Sequence, residues 1–105
     1  MSTTEEITTF IRTAIPLFDT MGLEIVEAGR TSVAARIPAA PNSNHFGAMY
    51  AGSLFSVAEV LGGLYASTSL VLEGAVPIVK TMTIDFLRPA TTSVVARASI
   101  TEETI

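Results

Sequence analysis

The chain of 105 residues has no cysteine and no tryptophan, only one histidine, and few basic residues. Without cysteine it can form no disulfide, no thiolate metal site and no cysteine nucleophile. Its six lysines and arginines are scattered, and the formal net charge is −4. Nucleic-acid binding requires clustered positive charge, so that class of function is excluded.

Several catalytic motifs are missing as well. There is no Gly-x-Ser-x-Gly motif, and a single histidine leaves little material for a Ser-His-Asp triad. No lysine follows the glycines of 47–52, which excludes a phosphate-binding P-loop. His45 has no second metal ligand at a usual spacing, so we expect no metal site and no bound cofactor.

What the chain has in abundance is apolar side chain. Hydrophobic residues make up 49% of it, charged residues only 15%, and the mean hydropathy is +0.51. Such a composition in one small domain indicates surface buried against another subunit. The N-terminus carries two acids and lacks the basic-then-apolar layout of a signal peptide, so we expect a cytoplasmic protein.

The pattern of apolar residues predicts one α+β domain over residues 1–105, with a helix packed on an antiparallel sheet. An N-terminal helical segment occupies residues 1–20, with a helix over Ser2–Ile15 that is ended by Pro16. A hairpin follows, with strands over Leu23–Glu27 and Thr31–Ile37. The central helix runs from Gly52 to about Ser69. Two strands come last, over Pro77–Leu87 and Ser93–Thr101.

The central helix carries one acid, Glu59, in otherwise apolar surroundings. Its predicted apolar face consists of Leu54, Val57, Ala58, Leu61 and Tyr65, and a second face of small residues holds Gly52, Ser56, Glu59 and Gly63. A membrane span is disfavoured, because serine, threonine and glycine interrupt the segment. A structural acid paired with a backbone group or a subunit remains an alternative to a catalytic one.

The stretch from Asn44 to Glu59, NHFGAMYAGSLFSVAE, resembles the active-site signature of hotdog-fold thioesterases, in particular the phenylacetyl-CoA type and the YiiD C-terminal type. Their pattern is an Asn, a His-Gly-Gly at the helix start and an acid inside the helix. Asn44, Gly52 and Glu59 occupy the matching Asn, second-glycine and acid positions. Tyr50 stands in place of the histidine and Ala51 in place of the first glycine.

The resemblance extends from about Leu23 onward, since TIDFLRPA and the alternating strand after it are similar to the family's third and fourth strands. It implies a curved antiparallel sheet wrapped around one long central helix. It also implies an active site at a dimer interface, in a homodimer or homotetramer. Family proteins carry two further strands after the point where this sequence ends, so we expect the C-terminal strands to be absent here.

Helix geometry gives an independent reason for two subunits. Ala51 and Glu59 are eight positions apart, which is about 12 Å along a helix axis. One thioester carbonyl cannot reach both the N–H groups at Ala51 and the Glu59 carboxylate of the same helix. If both groups act on one substrate, they must come from antiparallel helices of two chains.

The expected reaction is hydrolysis of an acyl-CoA or acyl-carrier thioester. The carbonyl oxygen would bind the N–H groups of Ala51 and Gly52, Glu59 of the facing chain would activate water, and Asn44 would hold that water or the carbonyl. Further substrate contacts are expected from side chains in the preceding loop and the later strand: His45, Tyr50, Thr81, Thr83 and Arg88.

Two alternatives stay open. A hydroxyacyl-thioester dehydratase of the same fold would pair His45 with Glu59, although the proline-rich loop typical of those enzymes is missing. A non-catalytic acyl-binding or assembly domain is the other, and the Tyr50 and Ala51 replacements favour it.

Overall fold

A three-stranded antiparallel sheet with one long helix packed on it forms the centre of the structure. The computed structural model describes residues 3–68 and 80–99, and between 65 and 68 the backbone alone. The strands are β1 (Glu24–Ala28), β2 (Ser32–Ile37) and β3 (Val94–Ser99), in the order β1-β2-β3. Both strand pairs are antiparallel, so the predicted α+β arrangement is confirmed.

The hairpin forms because alternate residues of β2 are apolar and enter the core. Val33, Ala35 and Ile37 are fully buried, and Leu23 and Ile25 join them from the neighbouring strand side. The register of β1 against β2 shifts between Ile25 and Glu27, where the pairing is irregular. The predicted hairpin is confirmed within one residue at each end.

The later strands were predicted with mixed success. The strand predicted over Ser93–Thr101 is confirmed as β3, while residues 100 and 101 lie outside the described part. The strand predicted over Pro77–Leu87 is wrong for residues 80–87, which have no strand pairing, and residues 77–79 are not described. The alternating pattern persists, with Met82 and Ile84 half-buried between exposed neighbours. A strand also needs a hydrogen-bonded neighbour, and the described sheet consists of β1, β2 and β3 without this segment.

Two short helices precede the sheet. Helix α1 (Thr4–Ala14) is followed by α2 (Pro16–Met21), which begins at Pro16 and ends at Gly22 with a φ of 70°. The predicted helix and its break at Pro16 are therefore confirmed. A single turn of 3₁₀-helix over Ala40–Asn42 links β2 to the segment before the long helix.

Helix α1 is fastened to the edge of β1 by two side chains. The Thr8 hydroxyl oxygen accepts a hydrogen bond from the Ile25 N–H at 2.9 Å. The Arg12 Nε donates to the Leu23 carbonyl oxygen, also at 2.9 Å. These bonds satisfy backbone groups at the outer edge of the sheet, where no strand pairs with β1 among the described residues.

The long helix α3 (Ala51–Thr68) packs across β2 and β3. Its buried face holds Ser53, Val57, Val60, Leu61 and Leu64. The predicted face was correct for Val57 and Leu61, whereas Leu54 and Ala58 are only half-buried and the Tyr65 side chain is not described. Apolar residues surround this helix almost completely, so the sequence pattern could not determine its rotation about its axis. Within the described ranges, no helix is long and apolar enough to cross a membrane.

Candidate active site

A tight turn built on Asn44 leads into α3. The Asn44 Oδ1 accepts hydrogen bonds from the N–H groups of Phe46 at 2.9 Å and Ala48 at 3.2 Å. The Asn44 N–H donates to the Ala48 carbonyl oxygen at 2.7 Å, and Gly47 supplies the positive φ, 79°, that the turn requires. The amide oxygen of Asn44 therefore holds the turn, while no described residue accepts a hydrogen bond from its Nδ2.

The first turn of α3 has open backbone donors. The Tyr50 carbonyl oxygen accepts from the Ser53 N–H at 3.0 Å and from the Leu54 N–H at 3.2 Å. The N–H groups of Ala51 and Gly52 have no acceptor among the residues that the structure describes. With the positive end of the helix dipole behind them, these two donors can bind a negatively charged or polarised oxygen.

The Tyr50 ring lies directly against Gly52. A Cβ atom added at Gly52 would stand 2.5 Å from the Tyr50 Cε2, closer than real Cβ contacts. Tyr50 is nonetheless 59% exposed, so its ring borders the first helical turn at the protein surface. Glycine at position 52 thus has a steric reason in this chain, independent of any ligand.

Glu59 lies on the same helix, eight residues after Ala51. The rise of an α-helix puts about 12 Å between the two residues along the axis. The sequence predicted a buried acid, but the side chain is half-buried, and it makes no hydrogen bond or ion pair with any described residue. Gly62 and Gly63 on the following turn are exposed, so these two positions beside Glu59 carry no side chain.

His45 and the other predicted substrate contacts lie at the surface. The His45 ring packs against Phe46, with ring centroids 4.0 Å apart and planes tilted by 40°. Thr81, Thr83 and Arg88 are all exposed, and no hydrogen bond joins either threonine or His45 to Glu59 in the described part of the chain. Over residues 3–68 and 80–99, no three histidine, aspartate or glutamate side chains are grouped to hold a metal ion.

One backbone contact brings the Arg88 segment to the start of α3. The Met49 N–H donates to the Ala90 carbonyl oxygen at 2.7 Å. Arg88, two residues before Ala90, therefore belongs to the loop that adjoins the Asn44 turn. The structure thus gathers Asn44, Tyr50, Ala51 and Gly52 at one end of α3 with this loop beside them, and leaves Glu59 farther along the helix.

Sequence reasoning missed Asn42, which is only 3% exposed. Its Nδ2 donates to the carbonyl oxygens of Met21 and Pro38, each at 2.8 Å. Its own carbonyl oxygen accepts from the Tyr50 N–H at 2.7 Å. In the sequence Asn42 is one of three consecutive polar residues, with Ser43 and Asn44, and only the meeting of three distant segments at this point distinguishes it.

Comparison with known proteins gives both a family and a fold. The sequence model of the family described as "Domain of unknown function (DUF4442)" matches residues 3–105. No curated protein matches the sequence at a significant level. Among solved structures, one from Pseudomonas aeruginosa is described as a protein of unknown function and probable thioesterase. It is 36% identical with a TM-score of 0.82, and the match covers 98% of this chain and 70% of that one.

Two further structures carry thioesterase names. A thioesterase from Haemophilus influenzae is 25% identical, with a TM-score of 0.81 and coverage of 94% of this chain and 68% of that one. Thioesterase superfamily member 2 from Mus musculus is 17% identical, with a TM-score of 0.69 and coverage of 95% and 75%. At that identity the mouse protein shows the fold alone. The predicted hotdog fold is confirmed by these likenesses.

Proposed function

The chain belongs to the DUF4442 family and has the hotdog fold of the thioesterase superfamily, and on that premise we propose that it hydrolyses an acyl thioester. The observation that carries the proposal is the open first turn of α3. Two adjacent backbone N–H groups, of Ala51 and Gly52, lack an acceptor there among the described residues. Attack on a thioester carbonyl creates an oxyanion, and paired N–H donors stabilise such an oxygen.

Glu59 is the proposed general base. A half-buried carboxylate with no partner in the described part of the chain can accept a proton from water as that water attacks the carbonyl carbon. The separation of about 12 Å from Ala51 means that one carbonyl cannot use both groups of one helix. The base therefore comes from a facing subunit, and the minimum assembly is a homodimer, with a homotetramer as a further possible assembly of such dimers.

Asn44 supports the same reaction from the turn before the helix. Its Oδ1 is occupied by the N–H groups of Phe46 and Ala48, so the direction of its amide is fixed. The role assigned to its Nδ2 is to donate to the attacking water or to the substrate carbonyl. An amide suits position 44 better than a carboxylate does, because it combines an oxygen that accepts hydrogen bonds from the turn with an N–H group that can donate.

The surface around the helix start supports the proposed substrate class. We assign acyl-CoA or acyl-carrier thioesters as the substrates and propose no cofactor. The Tyr50 ring borders the place where the carbonyl would bind, and exposed His45 lies in the turn before it. Thr81, Thr83 and Arg88 are exposed on the later segment, where they can contact the pantetheine or phosphate parts of the substrate.

The direct test is the substitution Glu59→Gln, assayed against a panel of acyl-CoA thioesters. We expect kcat to fall by about 10²- to 10⁴-fold, the usual contribution of a general base. Glu5→Gln, which removes an exposed acid from another helix, is the control and should leave turnover unchanged. Equal turnover of the Glu59→Gln variant and the native protein would remove the base from the mechanism. Dehydration of a hydroxyacyl thioester, abolished by His45→Ala, would favour the dehydratase alternative instead.

Mixing two inactive variants tests the shared site. A chain with Glu59→Gln still offers its helix start. A chain with Tyr50→Asp, whose new carboxylate would compete with the substrate oxygen for the α3 amides, still offers its base. If a site combines groups from two chains, random pairing restores about a quarter of the native sites. Absence of any recovery, with subunit exchange verified by mass spectrometry, would place base and amides in one chain.

A further inference from the structure

Asn42 ties together three segments that are distant in sequence. Its Nδ2 donates to the Met21 carbonyl at the end of α2 and to the Pro38 carbonyl just after β2. Both bonds are 2.8 Å long, and the side chain is almost completely buried. Removing a buried donor would leave two carbonyl oxygens without a partner, which is more costly than losing an exposed hydrogen bond.

The same residue holds the start of α3 through its backbone. The Asn42 carbonyl oxygen accepts from the Tyr50 N–H at 2.7 Å, and Tyr50 immediately precedes the helix. One residue along, Ser43 and Met49 form an isolated antiparallel bridge. The Asn44 turn is thus closed at its base, and the position of that base depends on where the Asn42 side chain is anchored.

We propose that Asn42 is a positioning residue for the site at the start of α3. Its two side-chain hydrogen bonds fix the backbone of residue 42, which fixes Tyr50, which sets the direction of the Ala51 and Gly52 N–H groups. The catalytic part of this inference rests on the proposed thioesterase function. Oxyanion donors act at hydrogen-bond distance, so a displacement of about 1 Å at the helix start is enough to lower the rate.

The test compares Asn42→Asp with a matched core variant. Asn42→Asp keeps the size of the side chain, removes its N–H donors and places a carboxyl group against the two carbonyl oxygens. Val33→Ala truncates a fully buried residue of β2 that pairs with Ala28 and Ala98, and serves as the destabilised control. Both are assayed well below their unfolding temperatures. We expect kcat to fall about tenfold or more for Asn42→Asp with KM nearly unchanged, and the control to keep the native kcat.

Amide exchange measured by NMR provides a readout that does not need activity. In Asn42→Asp the Tyr50 amide should exchange at least about tenfold faster and the Ala51 and Gly52 amide signals should shift, while the Ile25 amide on the far side of β1 is unaffected. If Asn42→Asp does not fold, Asn42→Ser, whose hydroxyl can donate one bond, is measured in its place.

The outcomes separate the two proposals. A folded Asn42 variant with native exchange at Tyr50 and native Ala51 and Gly52 signals overturns the positioning role. A loss of kcat equal to that of Val33→Ala at matched stability overturns it too, because it shows a merely structural effect. Native protein that hydrolyses no thioester would refute the proposed function, and the exchange measurement would still decide the role of Asn42.

Discussion

The two main helices of this protein begin in opposite ways. Helix α1 is closed by a capping box, in which the Thr3 Oγ1 accepts from the Glu6 N–H and the Glu6 Oε1 accepts from the Thr3 N–H, both at 3.1 Å. Two acids, Glu5 and Glu6, occupy its first turn. Helix α3 has no acid in its first turn and is preceded by Tyr50, whose side chain cannot accept a backbone hydrogen bond there in the way that Thr3 does.

The difference shows what each helix start is suited to do. The capping box of α1 stabilises the helix, and the acids Glu5 and Glu6 in its first turn disfavour an anionic ligand there. The start of α3 gives up that stabilisation, so its positive end stays available to an oxygen atom from outside the chain. A helix N-terminus can therefore be capped for stability or left available to a ligand. In this chain α1 is of the first kind and α3 of the second.

Exchanging the properties of the two helix starts should have its largest effect at α3. Tyr50→Asp introduces a side chain that can accept from the Gly52 or Ser53 N–H and adds a negative charge where an oxyanion would form. We expect kcat to fall by about 10²- to 10³-fold, as for loss of an oxyanion donor, while the unfolding free energy rises by about 1 kcal/mol. Kinetics and chemical denaturation measure the two changes separately.

Tyr50→Phe is the matched control for that variant, because it keeps the ring beside Gly52 and adds no acceptor. Its activity should stay within about threefold of native, since only a hydroxyl is removed from an exposed ring. A Tyr50→Asp chain that gains stability and keeps its activity would mean that the amides of α3 do not bind the reacting oxygen.

The contact between Tyr50 and Gly52 predicts a smaller effect. Gly52→Ala adds a Cβ at 2.5 Å from the Tyr50 Cε2, so the ring must swing away. Alanine gains about 1 kcal/mol of helix propensity over glycine, which offsets the strain, so stability should change by less than about 1 kcal/mol. We expect kcat/KM to fall about tenfold, because the methyl group and the displaced ring crowd the helix start.

A double-mutant cycle with Tyr50→Ala identifies the cause. In that background the added methyl group meets no ring, so Gly52→Ala should have a much smaller effect on kcat/KM than in the native chain. Strictly additive effects of the two substitutions would show that the contact has no role in activity.

The smallest expected effect is at the closed helix. Thr3→Ala removes the cap of α1 and should lower the unfolding free energy by about 1 kcal/mol without changing kcat. The Thr3 backbone and side-chain hydrogen bonds hold the pKa of Glu6 below its ordinary value of 4.5. A lowered pKa in the folded state stabilises the protein above the unfolded-state pKa, and this contribution is lost as pH falls through the folded-state value.

The pH dependence therefore gives a second measurement of the cap. Thr3→Ala keeps the larger contribution, from the Thr3 backbone N–H, and removes that of the side chain. The Glu6 pKa should therefore rise but stay below 4.5, which NMR titration of the side-chain carboxyl carbon can follow. The difference in unfolding free energy between the native protein and Thr3→Ala should become smaller as the pH falls below the folded-state pKa of Glu6. A native Glu6 titration curve in the Thr3→Ala chain would contradict the capping explanation.

Much of the fold was predictable because its signals are local. Alternating apolar residues and a polar turn predicted the hairpin, and Pro16 marked the boundary between α1 and α2. The central helix was correct within one residue, but its rotation was not, since apolar residues lie on nearly all sides of it. The segment over 80–87 has the composition of a strand, yet pairing depends on a neighbour that local sequence does not encode.

The candidate site was predictable only where residues follow one another. Asn44, Ala51 and Gly52 come together because they are close in the chain, and a turn and a helix start place them. Asn42 could not be foreseen, because its importance arises from contacts with Met21 and Pro38, segments that only the folded chain brings near. The burial of Glu59 was overestimated for a related reason, as burial depends on packing partners rather than on neighbours in sequence.

The bonds from Thr8 and Arg12 to the backbone around β1 also affect how this protein behaves at high concentration. An outer strand with unsatisfied N–H and C=O groups is a template on which other chains can add, and that route leads to aggregates. Helix α1 covers those groups at Ile25 and Leu23 with side chains rather than with another strand. At these two positions the N-terminal helix therefore occupies the backbone groups to which an added strand would have to bond.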